Sequence, residues 1–321
     1  MKWTKAEIEI LNQYTRTMKS VRDICSELDN AGFMRTYKSV TRKIESMGWT
    51  RPTDLSDLTV LPKILLFDIE TTPMPVWVWD FGKQYVPPTN LVKDNDGNQK
   101  VWYVLSWAAK WLYDDNVISD IVSPEEAVSR DDSRVLSSIW KLLDEADIVI
   151  AHNGDRFDLR KLNARFILND MAPPSPYKSI DTLKIARKEF AFSSNKQDFL
   201  TKTFGLAEKL KTDFQLWLDC MNGNKEALGN MLNYNERDVV GLEQVYLKLR
   251  PYIKNHPNLG VLMDDNVCPT CGSKNIKASN ATYFTSSNEF PVYRCGGCNS
   301  PFIRSKTSLG TNKTELRSVA R

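Results

Sequence analysis

The chain has 321 residues, 41% hydrophobic and 26% charged, a balance that allows a sizeable core and excludes wholesale disorder. No run approaches the roughly 18 apolar residues a bilayer-spanning helix needs, and the opening MKWTKAEIEI holds no apolar signal core, so a cytoplasmic protein without a membrane partner is expected. The formal charge of +3 is split between basic ends, net +4 in residues 1–51 and +4 in 264–321, and an acidic middle of −5, which suits a polyanion meeting the ends.

Residues 1–51 read as three helices. Thr4 caps the first, which carries Ile8, Ile10 and Leu11, and Glu7 completes a capping box. The second starts near Ser20 and sets Val21, Ile24, Cys25 and Leu28 on one face. The third runs from about residue 39 to 47 with Val40, Ile44 and Met47 as its buried stripe, and Gly48 stops it. Arg35, Lys38, Arg42 and Lys43 make that third element basic. Three short helices ending in a basic one fit a helix-turn-helix against nucleic acid; a small bundle for protein contacts is the alternative. The pattern WT-x-x-E at Trp3, Thr4 and Glu7, followed by RTYKSVTRKIESMGW, resembles the Myb/SANT-like helix-turn-helix family. Residues 52–61 read as a linker.

The middle alternates strands and helices. Residues 64–67 form a short apolar run ending in acid. Residues 73–100, rich in Pro, Trp and Asn, read as an inserted loop, and residues 101–107 as a second strand. Ser123-Pro124-Glu125-Glu126 is a capping box that opens a helix, and 134–145 form another. Residues 148–151 are a buried strand, with a turn at Asn153-Gly154. From about Asp181 the pattern is mostly helical. The order implies an α/β domain around a central sheet.

Three acidic groups punctuate this domain. Asp68 and Glu70 stand at i and i+2 where an apolar strand ends, so both point the same way. Such a pair repels itself unless a cation intervenes, and hard oxygen ligands suit Mg²⁺ or Mn²⁺. Phe157 begins an amphipathic helix with Leu159, Leu162 and Phe166, which sets Asp158 near its N-terminus, while the nearby Asp155 fits a capping role. Tyr234 and Asp238 lie four apart on a helix whose buried side holds Val239, Leu242 and Val245. Each group has a bland reading by itself: a solvated strand end, a dipole-favoured Asp, an ordinary Tyr–Asp pair.

In order, FDIET (67–71), N-x-x-x-F-D (153–158) and Y-x-x-x-D (234–238) resemble the three motifs of the DEDD exonuclease superfamily, spaced about 90 and 80 residues apart. Tyr in the third motif resembles the tyrosine subclass, similar to the proofreading domains of family B DNA polymerases. The stretches WYVLSWAAKW (102–111) and Ile180-Asp181-Thr182-Leu183 also resemble stand-alone exonucleases predicted in bacteriophages. The resemblance implies a ribonuclease H-like fold and 3′→5′ hydrolysis of DNA with two Mg²⁺ or Mn²⁺ ions. It implies that Asp68 bridges both ions, that Glu70 and Asp238 hold the one that activates water, and that Asp158 holds the other, directly or through water. Tyr234 would orient the attacking water, and Asn153 and Phe157 would line the terminal-nucleotide pocket. RNA as substrate, structure-selective endonuclease action and a non-catalytic DNA-binding regulator are the alternatives. Single strands or 3′ ends of DNA are the expected substrate, and replication or recombination proteins the expected partners. Gln197 departs from the Leu-Asp pair that the family often has at this place, so the substrate contacts there are open. His152 fits a packing or hydrogen-bonding role.

Cys268, Cys271, Cys295 and Cys298 give C-x₂-C-x₂₃-C-x₂-C. Two close pairs of soft ligands make a closed tetrahedral Zn²⁺ site, and the pattern resembles a zinc ribbon. Tyr283, Phe284, Phe290 and Tyr293 lie between the pairs, either to stack on bases or to cover a small core. Cys25 and Cys220 stand alone and read as small buried hydrophobes. The full expectation is an α/β chain: a helix-turn-helix at 1–51, a linker at 52–61, a ribonuclease H-like exonuclease with a central mixed sheet at 62–255, a zinc ribbon at 264–304 and a basic tail at 305–321.

Overall fold

The computed structural model describes residues 3–15, 21–46, 62–205, 212–263, 266–286, 289–304 and 316–318. The expected linker at 52–61, the Met47 and Gly48 end of the third helix and most of the tail lie outside them.

Three helices open the chain: α1 (Lys5–Thr15), α2 (Val21–Asn30) and α3 (Tyr37–Ser46). Their apolar stripes meet in one core of Leu11, Ile24, Leu28, Val40 and Ile44, with Cys25 partly buried against it. The Thr4–Glu7 capping box forms: Thr4 N donates to Glu7 Oε2 at 2.7 Å, and Glu7 N to Thr4 Oγ1 at 3.3 Å. Arg35, expected to meet nucleic acid, is tied within the three-helix unit. Its Nε donates to the buried Glu7 Oε1 at 2.6 Å, and its guanidinium lies 4.6 Å from the Trp3 ring centre, so it clamps α1 to the α3 entry. Lys38 and Arg42 are exposed.

The Arg35 hydrogen bond holds the Glu7 carboxyl down at about 2, against an ordinary 4.5. A carboxyl with a depressed folded value stabilises the fold above the unfolded value and stops doing so as pH falls through the folded one. Amide signals from residues 3–46 are therefore expected to lose helical dispersion between about pH 4.5 and 2. Arg35→Ala should move that loss to higher pH; an unchanged midpoint in NMR spectra of the whole protein contradicts the clamp.

The central domain follows: β1 (Ile64–Thr71), β2 (Val104–Trp111), β3 (Ile118–Ile121), α4 (Pro124–Ser129), α5 (Ser133–Glu145), β4 (Ile148–Ala151), α6 (Asp158–Leu168), β5 (Lys178–Asp181), α7 (Thr182–Glu189), α8 (Gln197–Thr203), α9 (Phe214–Met221), α10 (Lys225–Leu249) and α11 (Leu259–Met263). The five strands form one mixed sheet in the order β3-β2-β1-β4-β5. β1 runs antiparallel to β2 and parallel to β4, β2 antiparallel to β3, and β4 parallel to β5. This is the expected ribonuclease H-like α/β architecture. The capping box at Ser123 and Glu126 forms as read.

Alternation along β1 sets the two faces. Leu65, Phe67 and Ile69 join a core with Leu136, Ile139 and Leu143 of α5. Ile64 and Leu66 join the opposite core with Val239, Leu242 and Tyr246 of α10. Each such buried side chain contributes roughly 1.5–3 kcal/mol. β2 starts and ends later than the expected 101–107. Its Lys110 is buried and would break an apolar strand, but Glu243 of α10 meets it at 2.5 Å.

After α11 come β6 (Ile276–Phe284), β7 (Glu289–Cys295), β8 (Pro301–Arg304) and β9 (Leu316–Ser318), a four-stranded antiparallel sheet. Leu259, Met263 and Val267 belong to the α10-side core, and Leu259 N donates to Pro269 O at 2.8 Å, so the first cysteine pair is tied to the central domain. Cys220 is fully buried. Among the described residues no helix is long and apolar enough to cross a membrane.

Candidate metal centre and nucleic-acid cleft

Asp68 and Glu70 continue the Ile64–Leu66 side of β1, the side that faces α10. Where the apolar residues stop, the acids begin, and α10 brings Asp238 to them. Carboxylate oxygens of Asp68, Glu70 and Asp238 all lie within 4.8 Å of one another. Three anions so close repel strongly without a cation. An all-oxygen donor set fits Mg²⁺ or Mn²⁺ and not a soft metal. The ladder slips just after Glu70: Glu70 pairs with Ser106 but Thr71 with Val104. Such bulges re-aim side chains beside sites.

Asp158 stands outside that trio. It is buried, and its Oδ1 accepts from Ile69 N, the amide between Asp68 and Glu70, at 3.1 Å. Burial pushes its pKa up to about 7 in the metal-free protein. The loop before it is built on Asp181, whose Oδ1 accepts from Asn153 N, Leu183 N and Lys184 N, at 3.0, 3.0 and 3.2 Å. Asn153 takes a φ of 71°, which Asn tolerates better than most residues. A Cβ on Gly154 would stand 2.5 Å from Ala151 Cβ, so the turn needs glycine there. Asp155 does not cap α6 as expected; it bonds Lys184 Nζ at 2.5 Å and the Ser179 hydroxyl.

A cleft of about 1030 Å³ opens on the trio, with Asn153, Phe157 and Tyr234 on its walls. Trp217 meets Tyr234 edge-on, with ring centres 6.2 Å apart. His152 also faces the cleft, and its ring nitrogens bond Thr182 Oγ1 at 2.9 Å and Asn195 O at 3.0 Å, a hydrogen-bonding role. Gln197 Nε2 donates to Asp238 O at 2.7 Å, so this residue holds the α10 backbone beside a candidate ligand.

Sequence reading missed a buried relay. Asn235 Nδ2 donates to Asp68 Oδ2 at 2.8 Å, and Asn235 Oδ1 accepts from Ser106 Oγ at 3.0 Å. Asn235 and Ser106 are fully buried. Asn235 follows Tyr234 directly, which is the one sequence signal that places it near the motif. Groups that orient a metal-binding carboxylate typically matter about 10–100-fold in metal affinity. Asn235→Ala is therefore expected to raise the Mn²⁺ dissociation constant by about tenfold or more. Calorimetric titration with Mn²⁺ checks this, and an unchanged constant contradicts it.

The four cysteine Sγ atoms also lie within 4.8 Å of one another. The Cys268–Cys298 and Cys271–Cys295 sulfurs are 3.7 and 3.5 Å apart, far beyond a disulfide bond. Gly297 N and Cys298 N both point at Cys295 Sγ, at 3.2 and 3.5 Å. Backbone amides aimed at a sulfur stabilise a thiolate, and four such ligands fit Zn²⁺. Tyr293 stacks on Phe302 at 6.2 Å, so it serves the small core, whereas Phe284 is exposed.

A family model of the RNase_H superfamily matches residues 109–250. No curated protein matches the chain. Among solved structures, the family B DNA polymerase from the hyperthermophilic archaeon Pyrobaculum calidifontis is similar at 15% identity with a TM-score of 0.41, over 63% of this chain. The chain spans 29% of that polymerase's length. Sheet order and superfamily match agree: the central domain has the ribonuclease H-like fold, and its acidic trio supports a metal-dependent nuclease.

Proposed function

We propose that this chain is a 3′→5′ exonuclease that hydrolyses DNA with two bound Mg²⁺ or Mn²⁺ ions. The observation that carries the reading is the carboxylate trio of Asp68, Glu70 and Asp238 in a cleft that also presents Tyr234 and Phe157. The trio would hold the ions, with Asp158 contributing directly or through water. When bound, the ions supply charge stabilisation to the attacking and leaving oxygens.

The chain's own groups do the rest. Phe157 stacks on the terminal base and Asn153 bonds the terminal nucleotide. The Tyr234 hydroxyl orients the attacking water. Asn235 keeps Asp68 turned toward the cleft. Water adds to the terminal phosphorus and the bond to the preceding O3′ breaks, releasing a nucleoside 5′-monophosphate and leaving a new 3′-hydroxyl. The four cysteines hold a structural Zn²⁺, and Lys38, Arg42 and Lys43 of the three-helix unit meet phosphates as a helix-turn-helix.

The test compares a DNA strand with a free 3′ end, the same strand with a blocked 3′ end, and an RNA of the same sequence. Release of mononucleotides from the free DNA end alone is the expected result. Internal fragments from the blocked strand would replace exonuclease by endonuclease action, and preferred digestion of RNA would replace the substrate.

A further inference from the structure

Between β1 and β2 the chain leaves the sheet and carries four large aromatics into solvent. Trp77, Trp79, Phe81 and Tyr85 are 71%, 101%, 99% and 84% exposed. The projection is built by its own hydrogen bonds. Val76 bridges Leu91, Trp77 N donates to Asn90 O at 2.9 Å, and Val92 N donates to Pro75 O at 3.0 Å. Clustered exposed aromatics of this size mark an interaction surface.

Both roots of the projection sit at the carboxylate site. It departs after Thr72, two residues past Glu70, and Thr72 N donates to Tyr103 O at 3.0 Å where the chain returns. At the return root, the Trp102 ring centre lies 4.0 Å from Lys161 Nζ. The same Nζ lies 5.0 Å from the ring centre of Phe157, a wall of the cleft, and donates to Thr71 Oγ1 at 2.9 Å. One lysine thus sets a cleft aromatic beside a root aromatic, so the base of the projection adjoins the cleft wall.

We infer that this projection is a stacking platform for single-stranded nucleic acid, taking the bases that follow the terminal nucleotide. The inference rests on the nuclease reading above. Flat aromatic faces accept any base, which suits a strand that must slide as it is shortened. Asp80 is the one acid between Trp77 and Tyr85, and Lys83 stands among them, so little there repels phosphate. A root that adjoins the cleft wall through Lys161 favours the substrate strand over a protein partner.

The test measures binding of 5′-fluorescein dT15 and dT4 by anisotropy, with Ca²⁺ in place of Mg²⁺ to hold back cleavage. Wild type is compared with the double variant Trp79→Ala/Phe81→Ala and with Trp79→Tyr. The double variant is expected to bind dT15 about tenfold or more weakly, with a much smaller change on dT4. Trp79→Tyr, which keeps a stacking face, should stay near wild type. An equal dT15 affinity in wild type and double variant overturns the platform and leaves the aromatics to a protein. Wild-type cleavage of dT4 with Mg²⁺ reports the carboxylate site by itself. Cleavage of dT4 with no length-dependent loss in the variant therefore overturns the platform alone, and no cleavage of any strand overturns the nuclease reading as well.

Discussion

Asp68→Ala should lower single-turnover cleavage by on the order of 10³-fold or more, a loss of several kcal/mol of transition-state stabilisation. Asp68 belongs to the trio, takes the Asn235 amide, and sits where β1 changes from apolar to acidic. In the metal-free protein the substitution turns three anions into two, and the repulsion it relieves offsets the hydrogen bond it takes from the buried Asn235 amide, so the melting temperature should change little. Ligand linkage supplies a second readout. Ions that bind only the folded state raise the melting temperature, so Mn²⁺ should stabilise wild type and leave Asp68→Ala nearly unmoved. DNA binding should persist, because the Phe157 wall, Lys38 and Arg42 are untouched. Retained cleavage in a clean preparation, or an undiminished Mn²⁺ shift, contradicts the assignment of Asp68.

Cys295→Ser should remove the zinc and unfold the four-cysteine unit. That unit's buried core is small, chiefly Phe302, Val292 and Ile303 beside the cysteines themselves. Units of this size depend on metal for folding, and structural zinc contributes on the order of 10 kcal/mol in small peptides. Cys295 also anchors the Gly297 and Cys298 amides, so its loss removes more than one ligand. Metal analysis should find bound zinc in wild type and almost none in the variant, and amide protection should vanish across β6, β7 and β8. The β1–β5 sheet has its own cores on both faces and should survive, with loosening confined to Met263 and Val267 at the junction. Unchanged zinc content would contradict the four-thiolate site.

The parts of this molecule written in short sequence patterns were legible. An apolar strand ending in D-x-E points two carboxylates one way, and a helical Y-x-x-x-D puts two groups on one face; that Asp238 joins Asp68 and Glu70 was implied only by the resemblance of the ordered motifs to the exonuclease superfamily. The Thr4–Glu7 and Ser123–Glu126 capping boxes and the cysteine pairs are likewise local. What stayed hidden depends on partners far along the chain. Nothing in Ser106 or Asn235 by itself announces a bond across 129 positions, nor does Lys110 announce that Glu243 will neutralise it inside a strand. The pairing of Arg35 with Glu7 shows only once the fold sets the two side by side, and Asp155 reads as a cap until Lys184 reaches it. Charge and burial decide these cases, and both are properties of the assembled fold.

Digestion of 5′-labelled single-stranded DNA, with and without Mg²⁺ or Mn²⁺, tests the central claim most directly. A ladder of labelled products that shortens one nucleotide at a time, present only with the metal and absent from Asp68→Ala, is the predicted result. No metal-dependent product from the wild type on DNA, and none when the strand is RNA, would contradict the nuclease reading.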